Sequence, residues 1–173
     1  MTTFQTTTVL SKIPHHFMTL GIDPGTATVG YAFVSGSKKA PIIHDYGVLT
    51  TDARSKEFMP DRLVELAEDL ESLIKKYNPT KVVLEELFFF RNVTTVISVA
   101  QSRGMMVYLT RKSGCEVSSA TPLQLKQTLC GYGRATKKQM QFMTQKVFKL
   151  ESIPKPDDAA DALALAWYGL PQS

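Results

Sequence analysis

Residues 157–168 read DDAADALALAWY, a helical segment that is alanine-rich and apolar on nearly every side yet carries an acid, Asp161, between Ala160 and Ala162. A helix without a polar face has to be covered, and packing on a sheet covers it. A charge set into such a helix needs a partner or a metal. The rest of the chain must therefore supply a sheet, and something for Asp161 to meet.

The sheet is legible upstream. Met18, Leu20 and Ile22 alternate with Thr19 and Gly21 and run into Asp23, Pro24 and Gly25, the pattern of a strand ending in a turn. Residues 29–34 and 42–50 are two further β-rich segments, and the Gly, Ser and Lys-rich connection between them suits a hairpin, so the chain opens with three antiparallel strands. Pro60 sits where a first helical turn accepts it. Leu63, Leu66, Ala67, Leu70, Leu73, Ile74 and Tyr77 then recur at helical spacing until Asn78 and Pro79 stop the run. Residues 81–87 form a strand whose unbroken Val82, Val83, Leu84 predicts burial on both faces and a central, parallel position. Asn92 can cap the next helix, with Val93, Val96, Ile97, Ala100, Gly104, Val107 and Tyr108 on one side, and residues 115–120 return as a fifth strand. Thr121 with Pro122, and Thr136, each open a further helix, with the Gly131, Tyr132, Gly133 loop between them. This order predicts an α/β fold of ribonuclease H-like pattern: a mixed five-stranded sheet with helices on both faces.

At 173 residues with 43% hydrophobic and 21% charged side chains, the chain is one globular domain, expected over residues 18–173. Residues 1–17 are expected to be a flexible N-terminal extension; they are Thr-rich and acid-free with one Lys and no Arg, a weak organelle-targeting signal. Cys115 and Cys130 stand alone, without metal-ligand spacing, which fits a reducing, cytoplasmic-type compartment. No apolar run approaches the roughly 20 residues that cross a bilayer, so no membrane partner is expected. The formal charge of +4 is unevenly spread. Residues 121–150 contain no acid but hold Lys126, Arg134, Lys137, Lys138, Lys146 and Lys149, leaving the remainder net acidic. Such a block suits a polyanion, nucleic acid first, although a solvated helical face has the same composition.

Four acids then attract notice. Asp23 ends the first strand, Glu85 ends the hydrophobic strand that most naturally pairs with it, and Asp158 and Asp161 lie one turn apart on the last helix. Carboxylates converging at a sheet edge are what hard divalent cations need, and two such ions can drive phosphodiester hydrolysis. Each also has a plainer explanation. Asp23 before Pro and Gly can form a turn, Asp157 or Asp158 can favour the helix dipole, and Glu85 and Glu86 can be strand-end charges. Spacing alone leaves Asp157 and Asp158 as alternatives.

GIDPGTATVGYAF at 21–33, VVLEELFFFRN at 82–92, VAQSRG at 99–104, LKQTLCGYGRATKKQ at 125–139 and DDAADALALA at 157–166 resemble, in order and spacing, the bacterial RuvC Holliday junction resolvases. The resemblance implies a homodimeric endonuclease that nicks four-way junction DNA symmetrically in recombination and repair, beside the RuvA and RuvB branch-migration proteins. It implies two Mg2+ per site, with Mn2+ able to substitute. Position by position, it places the catalytic and metal-holding acids at Asp23, Glu85, Asp158 and Asp161, and phosphate-binding lysines at Lys126 and Lys137, with Arg134 and Lys138 in the same basic block. It puts a junction-stacking aromatic at Phe88, whereas core packing explains at least one of Phe88, Phe89 and Phe90. The helix over 92–114 is the expected dimer surface.

Three rivals stand beside this reading. GIDPGT also resembles the first phosphate loop of actin-like ATPases, but that fold needs a second domain and a second phosphate motif, which 173 residues do not provide. A catalytically dead junction binder is disfavoured by the presence of all four acids. A nuclease acting on RNA shares the phosphate chemistry, and cleavage assays on junctions, duplex and hybrids separate it.

Overall fold

The structure, a computed structural model, describes residues 17–51, 59–86 and 93–173. Strands β1 (Thr19–Asp23), β2 (Thr28–Ser37) and β3 (Ala40–Thr50) are followed by helix α1 (Met59–Tyr77), strand β4 (Lys81–Glu85), helix α2 (Val93–Lys112) and strand β5 (Glu116–Ala120). Helices α3 (Pro122–Cys130), α4 (Lys137–Phe148) and α5 (Asp157–Gly169) complete the chain. The five strands lie in the order β3-β2-β1-β4-β5. The first three pair antiparallel, as hairpin connections allow, and β4 and β5 join β1 in parallel through helical crossovers. The α/β fold and the mixed five-stranded sheet follow the sequence expectation, with helices on both faces.

Strand periodicity divides the interior in two. Leu20 and Ile22 of β1, with Val82 and Leu84 of β4, face the core covered by α1 and α2, where Leu66, Leu70, Ile74 and Met106 are buried. Val83 and Ala32 face the opposite core, under α3, α4 and α5. Residues two apart share a face. Asp23, in phase with Gly21, and Glu85, in phase with Val83, are thereby carried to the side covered by α5.

On that side α5 lies almost directly on the sheet backbone. A Cβ at Gly21 would overlap the Ala162 carbonyl oxygen and the Ala166 amide nitrogen, and one at Gly30 would overlap the Asp158 carbonyl. Ala159, Ala160, Ala162, Ala164 and Ala166 are all buried, which accounts for the missing polar face. The far end of α5 is fastened to the β2–β3 hairpin: Trp167 Nε1 donates to the Lys38 carbonyl at 3.1 Å, and the Lys38 amide donates to the Pro171 carbonyl at 2.8 Å.

Several boundaries shift. β2 and β3 run on to Ser37 and Ala40, because Gly36, at φ 88°, lets the strands continue into a short turn, and a register shift at Phe33/Val34 absorbs the mismatch. β4 ends at Glu85, and the Glu86 amide still donates to the Ala120 carbonyl at 2.9 Å. Much of the apolar stripe of α2 faces away from the sheet: Ile97 is 56% and Tyr108 61% exposed, while Ser102, Met106 and Thr110 form the buried seam and Val107 packs at its margin. Thr121 and Thr136 close full capping boxes with Gln124 and Gln139, as their positions predict. The expected extension over 1–17, apart from Phe17, and Leu87, Phe88, Phe89, Phe90 and Asn92 lie outside the described residues.

Because the obstacle at Gly21 is backbone, Gly21→Ala forces α5 off the sheet. Urea unfolding should show a loss of about 3 kcal/mol or more, at the upper end of overpacking costs, and a loss under 0.5 kcal/mol would show that the contact has slack.

Candidate active site

Four acidic side chains from three elements meet at the open edge of the α5 face. Ile22 pairs with Leu84 in the parallel ladder, so Asp23 and Glu85 follow side by side at the strand ends. Asp158 and Asp161 reach toward them from the first turns of α5, set at that height by the glycine contacts. Burial pushes the Asp23 carboxyl up to about 8, reinforced by the charges of Glu85, Asp161 and Asp158. Burial also raises Glu85, with Asp161 adding to the shift, while a hydrogen bond with Asp23 and the charge of Lys137 pull it back. Asp161 is raised by burial and opposed by Lys137. The cluster is thus short of positive charge.

A cation stands at the rim: Lys137, the first residue of α4, placed there by the Thr136 cap. Its Nζ lies 3.1 Å from Asp157 Oδ2 and 3.8 Å from Asp161 Oδ2. The other Asp157 oxygen accepts a 2.7 Å hydrogen bond from Gln141 Nε2, one turn along α4. The Lys137 contact holds the Asp157 carboxyl below its usual range. The two neighbours left open by spacing therefore part company: Asp158 acts on Asp23 across the cluster, and Asp157 faces the lysine at the rim.

Among the described residues, no three His, Cys, Asp or Glu side chains are closed around a common point. Asp23 and Glu85 turn to each other, and Asp161 leans toward Lys137. The donor set nevertheless fits a hard divalent cation. It is all carboxylate oxygen, partly desolvated, and strongly self-repelling until positive charge arrives.

Beside the acids opens a cavity of about 210 Å3, with Glu85, Asp161, Lys126 and Lys137 on its polar side and Leu125 and Met140 on its apolar side. Lys126 and Lys137 thus reach the same space as the acids. Arg134, in the α3–α4 connection, and Lys138 are exposed and do not line it. Phe88 lies outside the described residues. Gln141, Ser102 and Arg103 emerge only in three dimensions. Ser102 Oγ donates to the Gly25 carbonyl at 2.7 Å, and Arg103 Nε donates to the Glu85 carbonyl at 3.1 Å. The run VAQSRG stood out in the sequence but suggested no role, since nothing in it points to the strand ends.

Comparison with known proteins agrees with this architecture. The profile of the family described as crossover junction endodeoxyribonuclease RuvC matches residues 19–168. A protein of that name from Syntrophomonas wolfei is 47% identical over 147 residues, covering 85% of this chain and 84% of its own. The Thermus thermophilus RuvC structure superposes with a TM-score of 0.79 at 27% identity, covering 88% of this chain and 92% of its own. The structure of T. thermophilus RuvC in complex with Holliday junction substrate gives 0.78 at 25%, with the same coverage.

The raised Asp23 pKa fixes the sign of a pH effect. Between its ordinary 3.8 and about 8 the folded protein holds a proton that the unfolded chain has lost, so metal-free stability falls as pH rises through that window. Asp23→Asn removes the titrating group. Its thermal midpoint at pH 8 should exceed wild type by several degrees, each kcal/mol being worth about 2–4 °C at this size, and its decline from pH 5 to pH 8 should flatten. An equal or lower midpoint at pH 8 would contradict the mutual repulsion.

Proposed function

The chain belongs to the RuvC family of crossover junction endodeoxyribonucleases, and we propose on that premise that it resolves four-way DNA junctions as a homodimer, by paired symmetric nicks. The observation that carries this reading is a carboxylate cluster in which Glu85, Asp161 and Asp158 all act on Asp23, opening through Glu85 and Asp161 onto a cavity that Lys126 and Lys137 also line. A related structure, that of T. thermophilus RuvC, is described in complex with Holliday junction substrate. The proposed cofactor is Mg2+, two per site, with Mn2+ as substitute. The proposed setting is the cytoplasm, beside the RuvA and RuvB proteins.

In this reading the four carboxylates hold the cations. Bound there, divalent metal supplies the positive charge that lowers the pKa of the attacking water and stabilises the leaving oxygen. Lys126 and Lys137 receive the phosphates flanking the scissile bond, each ammonium acting as a point charge that reads no base. For Lys137 this means exchanging a carboxylate partner, Asp157, for a phosphate. Arg134 and Lys138 extend the positive surface along the α3–α4 connection and the start of α4, and Phe88 stacks at the crossover. The exposed stripe of Ile97, Ala100, Gly104 and Tyr108 on α2 supports this helix as the dimer surface, since two identical sites must be held at a fixed separation.

Charge and shape separate in the acids. Glu85→Gln and Asp161→Asn keep shape and lose charge, so each should cut Mg2+-dependent nicking by about a thousandfold or more, roughly 4 kcal/mol of barrier. Metal-free junction binding should stay equal or tighten, because a negative charge near DNA has gone. Asp157→Asn is the control and should retain nicking. Activity in Asp158→Asn with loss in Asp157→Asn would reverse the assignment on α5, and four dispensable acids would end the nuclease reading of this site.

Lys137→Ala should weaken junction binding irrespective of sequence and reduce the slope of log affinity against log salt by about one unit. A slope equal to wild type, measured by titration across salt concentrations, would leave Lys137 as a helix-terminal charge only.

A further inference from the structure

Asp23 and Glu85 sit at strand ends, where a chain is least constrained, yet each end is held from behind by the same helix. Ser102, 0% exposed on the buried seam of α2, donates from Oγ to the Gly25 carbonyl at 2.7 Å, in the turn that follows Asp23. The turn has no slack on its other side, because any Cβ at Gly25 would overlap the Thr28 carbonyl. Arg103, the next residue, donates from Nε to the carbonyl of Glu85 itself at 3.1 Å and from Nη2 to Ser119 Oγ at 2.6 Å on β5. Ser119 precedes Ala120, the residue that pairs with Glu85 in the ladder. One helical turn thus grips the end of β1 with a hydroxyl and the ends of β4 and β5 with a planar fork.

We propose that Ser102 and Arg103 are positioning residues that set the spacing between the Asp23 and Glu85 carboxylates, and through it the site's affinity for its divalent cation. This rests on the reading of Asp23 and Glu85 as metal-holding acids. The physical case is one of tolerance. Mg2+ accepts oxygen ligands only within a narrow shell at about 2.0–2.1 Å, whereas two strand ends joined by one parallel ladder can shear by more than that margin. Bonds made to the backbone fix where a side chain starts without consuming the carboxylate oxygens themselves. The two-pronged contact of Arg103 also favours a guanidinium, whose separate nitrogens meet the two acceptors in a rigid planar fork, over the single flexible ammonium of a lysine.

The test uses the full chain with Ser102→Ala, Arg103→Lys and Arg103→Gln. Three quantities are read: the Mg2+ dependence of nicking on a four-way junction, Mg2+ binding by calorimetry without DNA, and metal-free junction affinity. The expected result is a rise of about tenfold in the half-saturating Mg2+, the size typical for residues that orient metal ligands, with partial recovery of rate at high Mg2+ and unchanged metal-free junction affinity. Arg103→Lys should behave like Arg103→Gln despite keeping the charge. If Ser102→Ala does not fold, Arg103→Lys decides alone. A lower thermal midpoint with wild-type Mg2+ dependence and wild-type calorimetry would overturn the proposal and leave the pair as a stability feature. Glu85→Gln separates the layers: if it is inactive while all three positioning variants titrate like wild type, the clamp alone fails; if it nicks normally with Mg2+, the reading beneath it fails and the clamp with it.

Discussion

Backbone lying on backbone is the contact from which the acidic cluster follows. A helix ordinarily stands off a sheet by the thickness of the side chains packed between them. Here Gly21 and Gly30 remove the side chains from the sheet, a row of alanines removes them from α5, and the helix settles onto the strands. Only at that closeness can the short carboxylates of Asp158 and Asp161 act on Asp23 and Glu85. Any larger residue at the contact would lift the acids away together, so the small-residue content of this region reflects where charge must be delivered.

The delivered charge is costly to the protein that carries it. Three of the acids are raised by burial and by one another, and Lys137 answers only part of the excess. The basic block on α3 and α4 lies on the same side as the acids, so attraction for a phosphate and repulsion among carboxylates work at one surface. Capping boxes at Thr121 and Thr136 fix where those two helices begin, and hence where Lys126 and Lys137 stand. Asp157 holds the lysine at the rim meanwhile, its orientation set by Gln141.

Much of this was readable in the chain. Alternation in 18–22 and the apolar run at 82–84 placed the strands, and the acids followed because periodicity decides which face a strand's last residue takes. The two threonine caps were visible for the same reason, being local chemistry. What stayed hidden depends on contacts distant in sequence. The stripe on α2 was legible as apolar, but which way it turned was decided by Ser102, Met106 and Thr110 packing inward, a seam too polar to look like a core. Asp157 and Asp158 could not be told apart by spacing; their different neighbours come from α4 on one side and β1 on the other. Gly36 carried no sign that the strands would pass through it, since a glycine serves a turn or a strand equally well.

The fastening of Trp167 and Pro171 to the hairpin at Lys38 gives α5 the mechanics of a lever. Its fulcrum lies at the C-terminal end, and its working end carries the acids. Nine residues separate Asp158 from Trp167, about 13 Å of helix, so a tilt of some 4° at the fulcrum swings the carboxylate by about 1 Å, a displacement of the kind that can cost two orders of magnitude in rate. Residues with no chemistry of their own, at the far end of α5 from the acids, thereby set the aim of the cluster.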